Sequence, residues 1–201
     1  MLQTLKLFGL AIRKWWEEFL FLLALNFLWL LAQMTVVLGP PSTAALYIVT
    51  QHVLDGSIVG FGDFWRAIKG NFVNSWIWGA AQIIVYSVLV YNLFFYWGKE
   101  GVYFLALRYA WTFLALTWFT INLYYWPLYL AQVDKRFTTT LTNAIKMVLL
   151  NPGYTIFYSL LALIFIVVSV FSGLLLGAVM AVWIALWGTL VVQDRLSTRK
   201  R

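Results

Sequence analysis

Few residue types in this sequence could take part in covalent or metal chemistry. It contains one histidine, His52, and no cysteine, so neither a multi-histidine zinc site nor a thiolate metal site can be assembled. Glu17 and Glu18 are adjacent and would point in different directions on a helix. Asp55 and Asp63 flank a glycine-containing loop, where they suit turn and cap roles. No glycine-rich phosphate loop and no Ser-His-Asp set is found. The sequence therefore predicts a protein that is not an enzyme, with no catalytic residue, cofactor or metal.

Arg108 is the only formally charged residue well inside a predicted membrane span. Such residues are costly in lipid and are candidate functional residues. A long arginine side chain can also reach the headgroups or pair with backbone carbonyl groups. We favour those structural roles, and an anionic ligand is the alternative. Arg108 is thus one candidate for substrate binding.

Uncharged polar residues also occur within the predicted spans: Asn26, Gln33, Gln82, Asn92 and Asn122. Hydrogen bonding between helices is the usual role of such side chains in membranes. The alternative is a polar pocket for a transported molecule, in a small carrier or channel, and their spacing does not select it. Asn26 is the second candidate for substrate binding.

The composition places most of these residues in lipid. Hydrophobic residues make up 63% of the chain and charged residues 10%, against about 45–50% and 25% in soluble domains. The 14 basic residues outnumber the 7 acidic ones, but they sit in short clusters between apolar runs, as in cytoplasmic loops. The balance therefore predicts a membrane protein and not a nucleic-acid-binding protein.

Five stretches are long and apolar enough to cross about 30 Å of hydrocarbon. They are residues 19–38, 76–97, 102–130, 154–171 and 174–192. The segment 39–54 begins with a helix-breaking Gly39-Pro40-Pro41, offers Ser42-Thr43 as an N-cap, and is marginal for a crossing. Hydropathy alone does not decide whether it crosses.

The charges favour six crossings with both termini in the cytoplasm. That arrangement places 12 of the 14 basic residues inside, while the best five-crossing arrangement leaves about 9 there. The twelve are Lys6, Arg13, Lys14, Arg66, Lys69, Lys135, Arg136, Lys146, Arg195, Arg199, Lys200 and Arg201. We therefore predict an all-α, single transmembrane domain over residues 1–201, built as a helix bundle of about six crossings.

Three further stretches have the apolar periodicity of amphipathic helices beside a membrane. They lie near the N-terminus, over 63–74 with Asp63 as N-cap, and over 140–151. The predicted apolar faces are Leu5, Phe8, Ile12, Trp15 and Phe19 in the first, Phe64, Ala67, Ile68 and Phe72 in the second, and Leu141, Ala144, Ile145, Val148 and Leu149 in the third. Each stretch contains the string Ala-Ile followed by Arg or Lys, at residues 11–13, 67–69 and 144–146. We interpret this as a repeat of a basic helix plus a hairpin, over 1–54, 63–130 and 140–193. The alternative is a chance match among common residues.

Small residues recur at every fourth position of the last predicted span: Gly173, Gly177, Ala181, Ala185 and Thr189. This pattern lets another backbone approach closely. The approach could be packing within the bundle, or a homo-oligomer contact through Gly173, Gly177, Ala181 and Ala185.

Two sequence elements resemble those of a known family. Residues 26–31 read Asn-Phe-Leu-Trp-Leu-Leu and lead to Gly39-Pro40-Pro41-Ser42-Thr43-Ala44-Ala45-Leu46. A phenylalanine-rich segment follows, with Asp63-Phe64-Trp65, Ala67, Lys69 and Asn71-Phe72. Over roughly the first 80 residues the chain resembles the YesL-like family of bacterial membrane proteins, with Pro41 where alanine is usual.

This resemblance implies a multi-pass protein of the bacterial cytoplasmic membrane. Members of the family are found beside carbohydrate-uptake systems, so the expected role is that of a non-enzymatic accessory component. The expected partners are the lipid bilayer and the permease subunits of an ABC-type sugar importer. The resemblance supplies no catalytic or ligand residues.

Overall fold

The computed structural model describes residues 2–199, with side chains over 3–198. Lys200 and Arg201, and the side chain of Arg199, lie outside these limits. The described part is all-helical, with 88% helix and no strand within it. Its helices are α1 (Leu2–Glu17), α2 (Phe19–Met34), α3 (Gly39–Leu54), α4 (Phe61–Gly70), α5 (Phe72–Trp97), α6 (Val102–Ala131), α7 (Phe137–Leu150), α8 (Pro152–Ser172), α9 (Leu174–Ala178) and α10 (Met180–Arg199). The all-α prediction is confirmed.

Two predicted helix starts were placed too late in the chain. α3 begins at Gly39, because proline fits the first helical turn, where its missing N–H is not needed. Ser42 lies inside the helix and its hydroxyl donates to the Gly39 carbonyl oxygen (2.9 Å). α4 begins at Phe61, and Asp63 accepts a hydrogen bond from the Gly60 N–H (2.8 Å). Asp63 therefore fills the third position of a capping box and not the N-cap.

The last predicted span, residues 174–192, is not one helix. α9 ends at Ala178, and Val179 has φ −133°, which interrupts the helical backbone before α10 begins at Met180. Hydropathy does not detect this break, because every residue around it is apolar or small.

The helices form three successive groups with the same pattern of packing. The groups are α1–α3, α4–α6 and α7–α10, and α3, α6 and α10 contact one another at the centre. The first helix of each group packs on the central helix of the preceding group: α4 on α3, α7 on α6, and α1 on α10. The arrangement therefore closes in a cycle. Descent of the three groups from one repeated sequence remains a prediction.

The first helices of the groups are amphipathic, as predicted, but the residues they bury differ in part from the predicted apolar faces. In α4 the buried residues are Phe64, Ala67 and Ile68, which are predicted members. In α1, Thr4 and Ala11 are buried while the predicted Leu5 and Ile12 are exposed. The alanine of each shared string (Ala11, Ala67 and Ala144) is buried.

Three described helices are long and apolar enough to cross a membrane: α5, α6 and α8. A fourth is added if α1 and α2, which meet at 98°, count as one bent span. These helices agree with a membrane protein, but six crossings are not confirmed. α2 and α3 have 16 residues each, or about 24 Å.

The loop between α2 and α3 lies beside the start of α5. The indole Nε1 of Trp76 donates to the Val37 carbonyl oxygen (3.0 Å). Pro40 packs so closely on Gly79 that a Cβ at Gly79 would lie 2.5 Å from Pro40 Cγ. The α2–α3 hairpin therefore stops beside the first two turns of α5, and does not accompany α5 to its far end.

Beyond that point α5 and α6 continue as a helical hairpin, residues 80–119, which we call the arm. Trp118 and Phe119 at its base pack against the core. Leu89 is the arm's only buried residue. The arm extends about 27 Å along each helix, close to the thickness of a bilayer's hydrocarbon core, about 30 Å. The remaining described residues, 2–79 and 120–199, form the body, where the centre of packing lies.

Candidate functional site

Asn26 joins α2 to the break between α9 and α10. Its Nδ2 donates to the carbonyl oxygens of Leu176 (2.9 Å) and Gly177 (2.6 Å). Its Oδ1 accepts from the backbone N–H groups of Ala181 (2.9 Å) and Val182 (3.1 Å). The side chain is fully buried, and its two donor hydrogens and two acceptor positions are all used. This candidate substrate residue therefore forms a connection within the protein.

Gln33 lies at the C-terminal end of α2 and connects it to the start of α3. Its Nε2 lies 3.1 Å from both the Gly39 carbonyl oxygen and Ser42 Oγ. One turn earlier, the indole Nε1 of Trp29 donates to Thr43 Oγ1 (3.1 Å). These contacts fix the turn of the hairpin whose residues carry the family resemblance.

Two reciprocal tryptophan–amide pairs join α5 to α6 near the base of the arm. Trp78 Nε1 on α5 donates to Asn122 Oδ1 on α6 (3.1 Å). One turn further along, Trp118 Nε1 on α6 donates to Gln82 Oε1 on α5 (3.0 Å). The predicted use of Gln82 and Asn122 in hydrogen bonds between helices is confirmed.

The five polar residues of the predicted spans do not meet in one place. Asn26, Gln33 and the α5–α6 pairs lie in separate contacts, and Asn92 Nδ2 donates within its own helix to the Val88 carbonyl oxygen (2.8 Å). No two of the five share a hydrogen bond. They do not form the common polar site that the carrier hypothesis needs.

Arg108 folds back toward the tip of the arm. Its Nη1 donates to the carbonyl oxygen of Trp97, the last residue of α5 (3.2 Å), which is the predicted pairing with a backbone carbonyl group. Its Nε is buried without a hydrogen-bond partner among the described residues. The guanidinium therefore retains donor capacity.

An open cleft of about 580 Å³ surrounds this contact at the tip of the arm. Its walls are the loop residues 98–101 together with Trp97, Val102, Leu105 and Arg108. Lys99 lies in the loop with its Nζ 3.5 Å from the centre of the Phe95 ring. Sequence reasoning singled out Arg108 but missed Lys99 and Glu100 beside it, because they are eight and nine residues away and on a loop.

A second cavity, of about 240 Å³, lies in the body between α6, α7 and the end of α10. Gln132 and Asn143 form part of its wall and are joined by a hydrogen bond from Asn143 Nδ2 to Gln132 Oε1 (2.8 Å). Lys146 also lines it. The hydropathy pattern gave no signal for this cavity.

The small residues of the last predicted span occupy two different environments. Ala181, Ala185 and Thr189 are buried within the chain, where they allow the neighbouring helices to approach α10. Gly173 adopts φ +62° and ends α8, and Gly177 lies in α9. The predicted packing of this face inside the bundle is thus confirmed for Ala181, Ala185 and Thr189.

The described side chains contain no group of three or more His, Cys, Asp or Glu residues that could hold a metal ion.

These features define a helical protein with apolar membrane-span candidates, a hydrogen-bonded body and an exposed arm. Residues 22–93 match the sequence model of a family described as "Protein of unknown function, DUF624". That family includes the YesL-like proteins, in agreement with the resemblance in the N-terminal part. The match covers most of α2, all of α3 and α4, and most of α5, and it ends within the arm. No curated protein and no solved structure matches the chain.

Proposed function

We propose that this protein is a non-enzymatic integral membrane protein that acts as an accessory component of a larger membrane assembly. The observation that carries this proposal is the arm, which contributes almost nothing to the protein's own core. Because most of the arm's surface does not pack against the body, it can contact lipid and the helices of another protein.

The arm's surface suits such contacts. Phe94 is 78% exposed and Phe113 is 69% exposed, and aliphatic side chains such as Ile84 are exposed between them. Exposed apolar surface of this extent is not tolerated in water and marks a membrane or protein contact. Large, rigid aromatic side chains supply much contact area at low entropic cost, which favours protein contacts.

A carrier or channel is the less favoured function. It requires polar groups that converge on a passage, whereas the polar side chains of the predicted spans are used in separate internal hydrogen bonds. We therefore assign those residues to stability and the arm to association.

The proposed location is the bacterial cytoplasmic membrane, with both termini in the cytoplasm. The basic clusters support this orientation. The α2–α3 loop, residues 35–38, contains no charge, so the charge balance is the same whether the α2–α3 hairpin crosses fully or only enters the bilayer. Because that hairpin ends beside the start of α5, we propose four crossings, by α5, α6, α8 and the α9–α10 segment, in place of six.

The proposed partner is the permease part of an ABC-type sugar importer. This step rests on the resemblance to the YesL-like family and its association with carbohydrate uptake. Association between copies of the chain is a further proposal. It would use the exposed end near Gly173 and Gly177, since Ala181 and Ala185 are buried.

The test is affinity purification of the full-length protein from its native membrane in a mild detergent, with identification of co-eluting proteins. We expect permease subunits to co-elute with the unaltered protein. The double variant Phe94→Ala plus Phe113→Ala should lose most of this recovery, because both side chains lie on the arm.

A matched control is Leu160→Ala plus Ile164→Ala on α8. These apolar side chains are also exposed, at 52% and 51%, but they belong to the body. The control should retain the partner. Repeated recovery of the unaltered protein alone would exclude the accessory function, and equal loss in both double variants would exclude the arm as the contact.

A further inference from the structure

All the charged side chains of the arm lie at or near its tip. Within residues 80–119 the charged side chains are Lys99, Glu100 and Arg108. All three line the open cleft, so the cleft has a net charge of about +1 when each group is ionised. The other wall residues are apolar or glycine.

Arg108 is held in a position from which it can bind an anion. Its Nη1 is fixed by the Trp97 carbonyl oxygen (3.2 Å). Nε is buried, so the donors left for an anion are the remaining N–H groups of Nη1 and Nη2. A guanidinium presents its donors as a planar fork that matches the oxygen atoms of a phosphate group. Fixing one nitrogen lowers the entropic cost of presenting the others.

Lys99 adds a second cation at the same cleft. Its Nζ lies over the Phe95 ring (3.5 Å from the centroid) and within 5.7 Å of the Tyr96 ring centre. These cation–π contacts hold the ammonium close to the apolar arm. Described acidic groups form no salt bridge with Lys99 or Arg108.

The depth of the cleft matches that of lipid headgroups. It lies about 27 Å along α5 from the base of the arm, near the distance at which a hydrocarbon core of about 30 Å ends. Trp97 and Tyr103 are 74% and 70% exposed beside it, and such residues are typical of the membrane–water boundary.

We infer that the cleft at the tip of the arm binds the phosphate group of an anionic phospholipid. Arg108 and Lys99 bind the phosphate oxygens, and Leu105 and Val102 contact the glycerol and upper acyl chain. Glu100 disfavours a second negative charge and so limits the affinity. This inference rests on the proposed membrane crossing by α5 and α6, and does not depend on the proposed partner protein.

The test is native mass spectrometry of the full-length protein, released from detergent after incubation with equal amounts of phosphatidylglycerol and phosphatidylcholine. The unaltered protein should retain phosphatidylglycerol in preference. Lys99→Gln plus Arg108→Gln should reduce that retention by about tenfold, the range expected for loss of charge-assisted hydrogen bonds.

Lys135→Gln plus Arg136→Gln is the charge-matched control. Both residues are exposed in the loop before α7, and this variant should retain phosphatidylglycerol within about twofold. Equal losses in the two double variants would show a general charge effect and overturn the inference.

A variant that should bind more lipid is a further test, because misfolding at the tip of the arm would lower binding and not raise it. Glu100→Gln should raise phosphatidylglycerol retention by roughly two- to threefold, since it removes a like charge from the cleft; unchanged or lower retention would contradict the proposed site. Millimolar inorganic phosphate should leave the bound lipid in place. Displacement by inorganic phosphate would mean that the cleft recognises a soluble anion and not a lipid.

Discussion

The arm and the centre of the body are both made of apolar helix, yet they use their side chains differently. In the body, α10 buries every residue from Ala181 to Thr189, and the Asn26 amide hydrogen-bonds to the backbone on both sides of the α9–α10 break. In the arm, 40 residues bury one leucine. Burial on all sides makes the body intolerant of change, and the arm's exposure leaves its surface free for association.

The largest effect is expected where a polar side chain supports the body. Asn26→Leu leaves two carbonyl groups and two N–H groups at the α9–α10 break without their partner. We expect a loss of roughly 3 kcal/mol in the free energy of unfolding, measured by thermal denaturation in detergent. Retained stability would mean that the break does not depend on Asn26.

Asn92→Leu is the matched control in the arm. The Asn92 amide donates only to the Val88 carbonyl oxygen of its own helix. That carbonyl oxygen keeps its backbone hydrogen bond when the side chain is replaced. The midpoint of denaturation should therefore change little. A loss as large as that of Asn26→Leu would remove the distinction between the two regions.

A smaller effect is expected at the contact between the α2–α3 turn and α5. Gly79→Ala places a Cβ 2.5 Å from Pro40 Cγ, a ring that cannot rotate away. We expect a loss of about 1–3 kcal/mol, despite the higher helix propensity of alanine.

Gly98→Ala at the tip of the arm tests the same substitution without the clash. Nothing lies within 4 Å of a Cβ there, and φ is −92°, which alanine adopts readily. Its free energy of unfolding should be nearly unchanged. If the two glycine variants behave alike, the close approach of Pro40 to α5 is wrong.

The smallest effect concerns pH at the loop before α7. Hydrogen bonds from the Thr139 hydroxyl and from the Arg136 N–H lower the pKa of Asp134. Because this pKa is lower in the folded protein, the stabilisation is complete above the carboxyl group's usual pKa and is lost as pH falls through the lowered value. The protection factors of the amides of residues 136–141, which correct for the pH dependence of intrinsic exchange, should therefore fall in acid. Asp134→Asn should show faster exchange at neutral pH and less dependence on acid.

The sequence predicts most of the helices because apolar runs and breakers act locally. The separation of α2 from α3 just before Gly39-Pro40-Pro41, the spans of α5, α6 and α8, and the amphipathic α4 all follow from neighbouring residues. The internal use of Gln82 and Asn122 follows from the general cost of unpaired polar groups in lipid.

The remaining features depend on contacts between distant parts of the chain. The α9–α10 break is supported by Asn26, about 150 residues earlier, and no local pattern identifies that partner. The depth of the α2–α3 hairpin depends on Pro40 packing against Gly79. Hydropathy measures whether a segment can enter lipid, but not where it lies along its neighbour.

A distance between the α2–α3 loop and the tip of the arm tests the central claim most directly. The chain has no cysteine, so Val37→Cys plus Gly98→Cys can be spin-labelled without other changes and measured by double electron–electron resonance in lipid nanodiscs. The arm predicts a separation of about 27 Å or more between the two backbone positions. A single separation of about 10–20 Å, as expected for neighbouring loops at one membrane face, would contradict it.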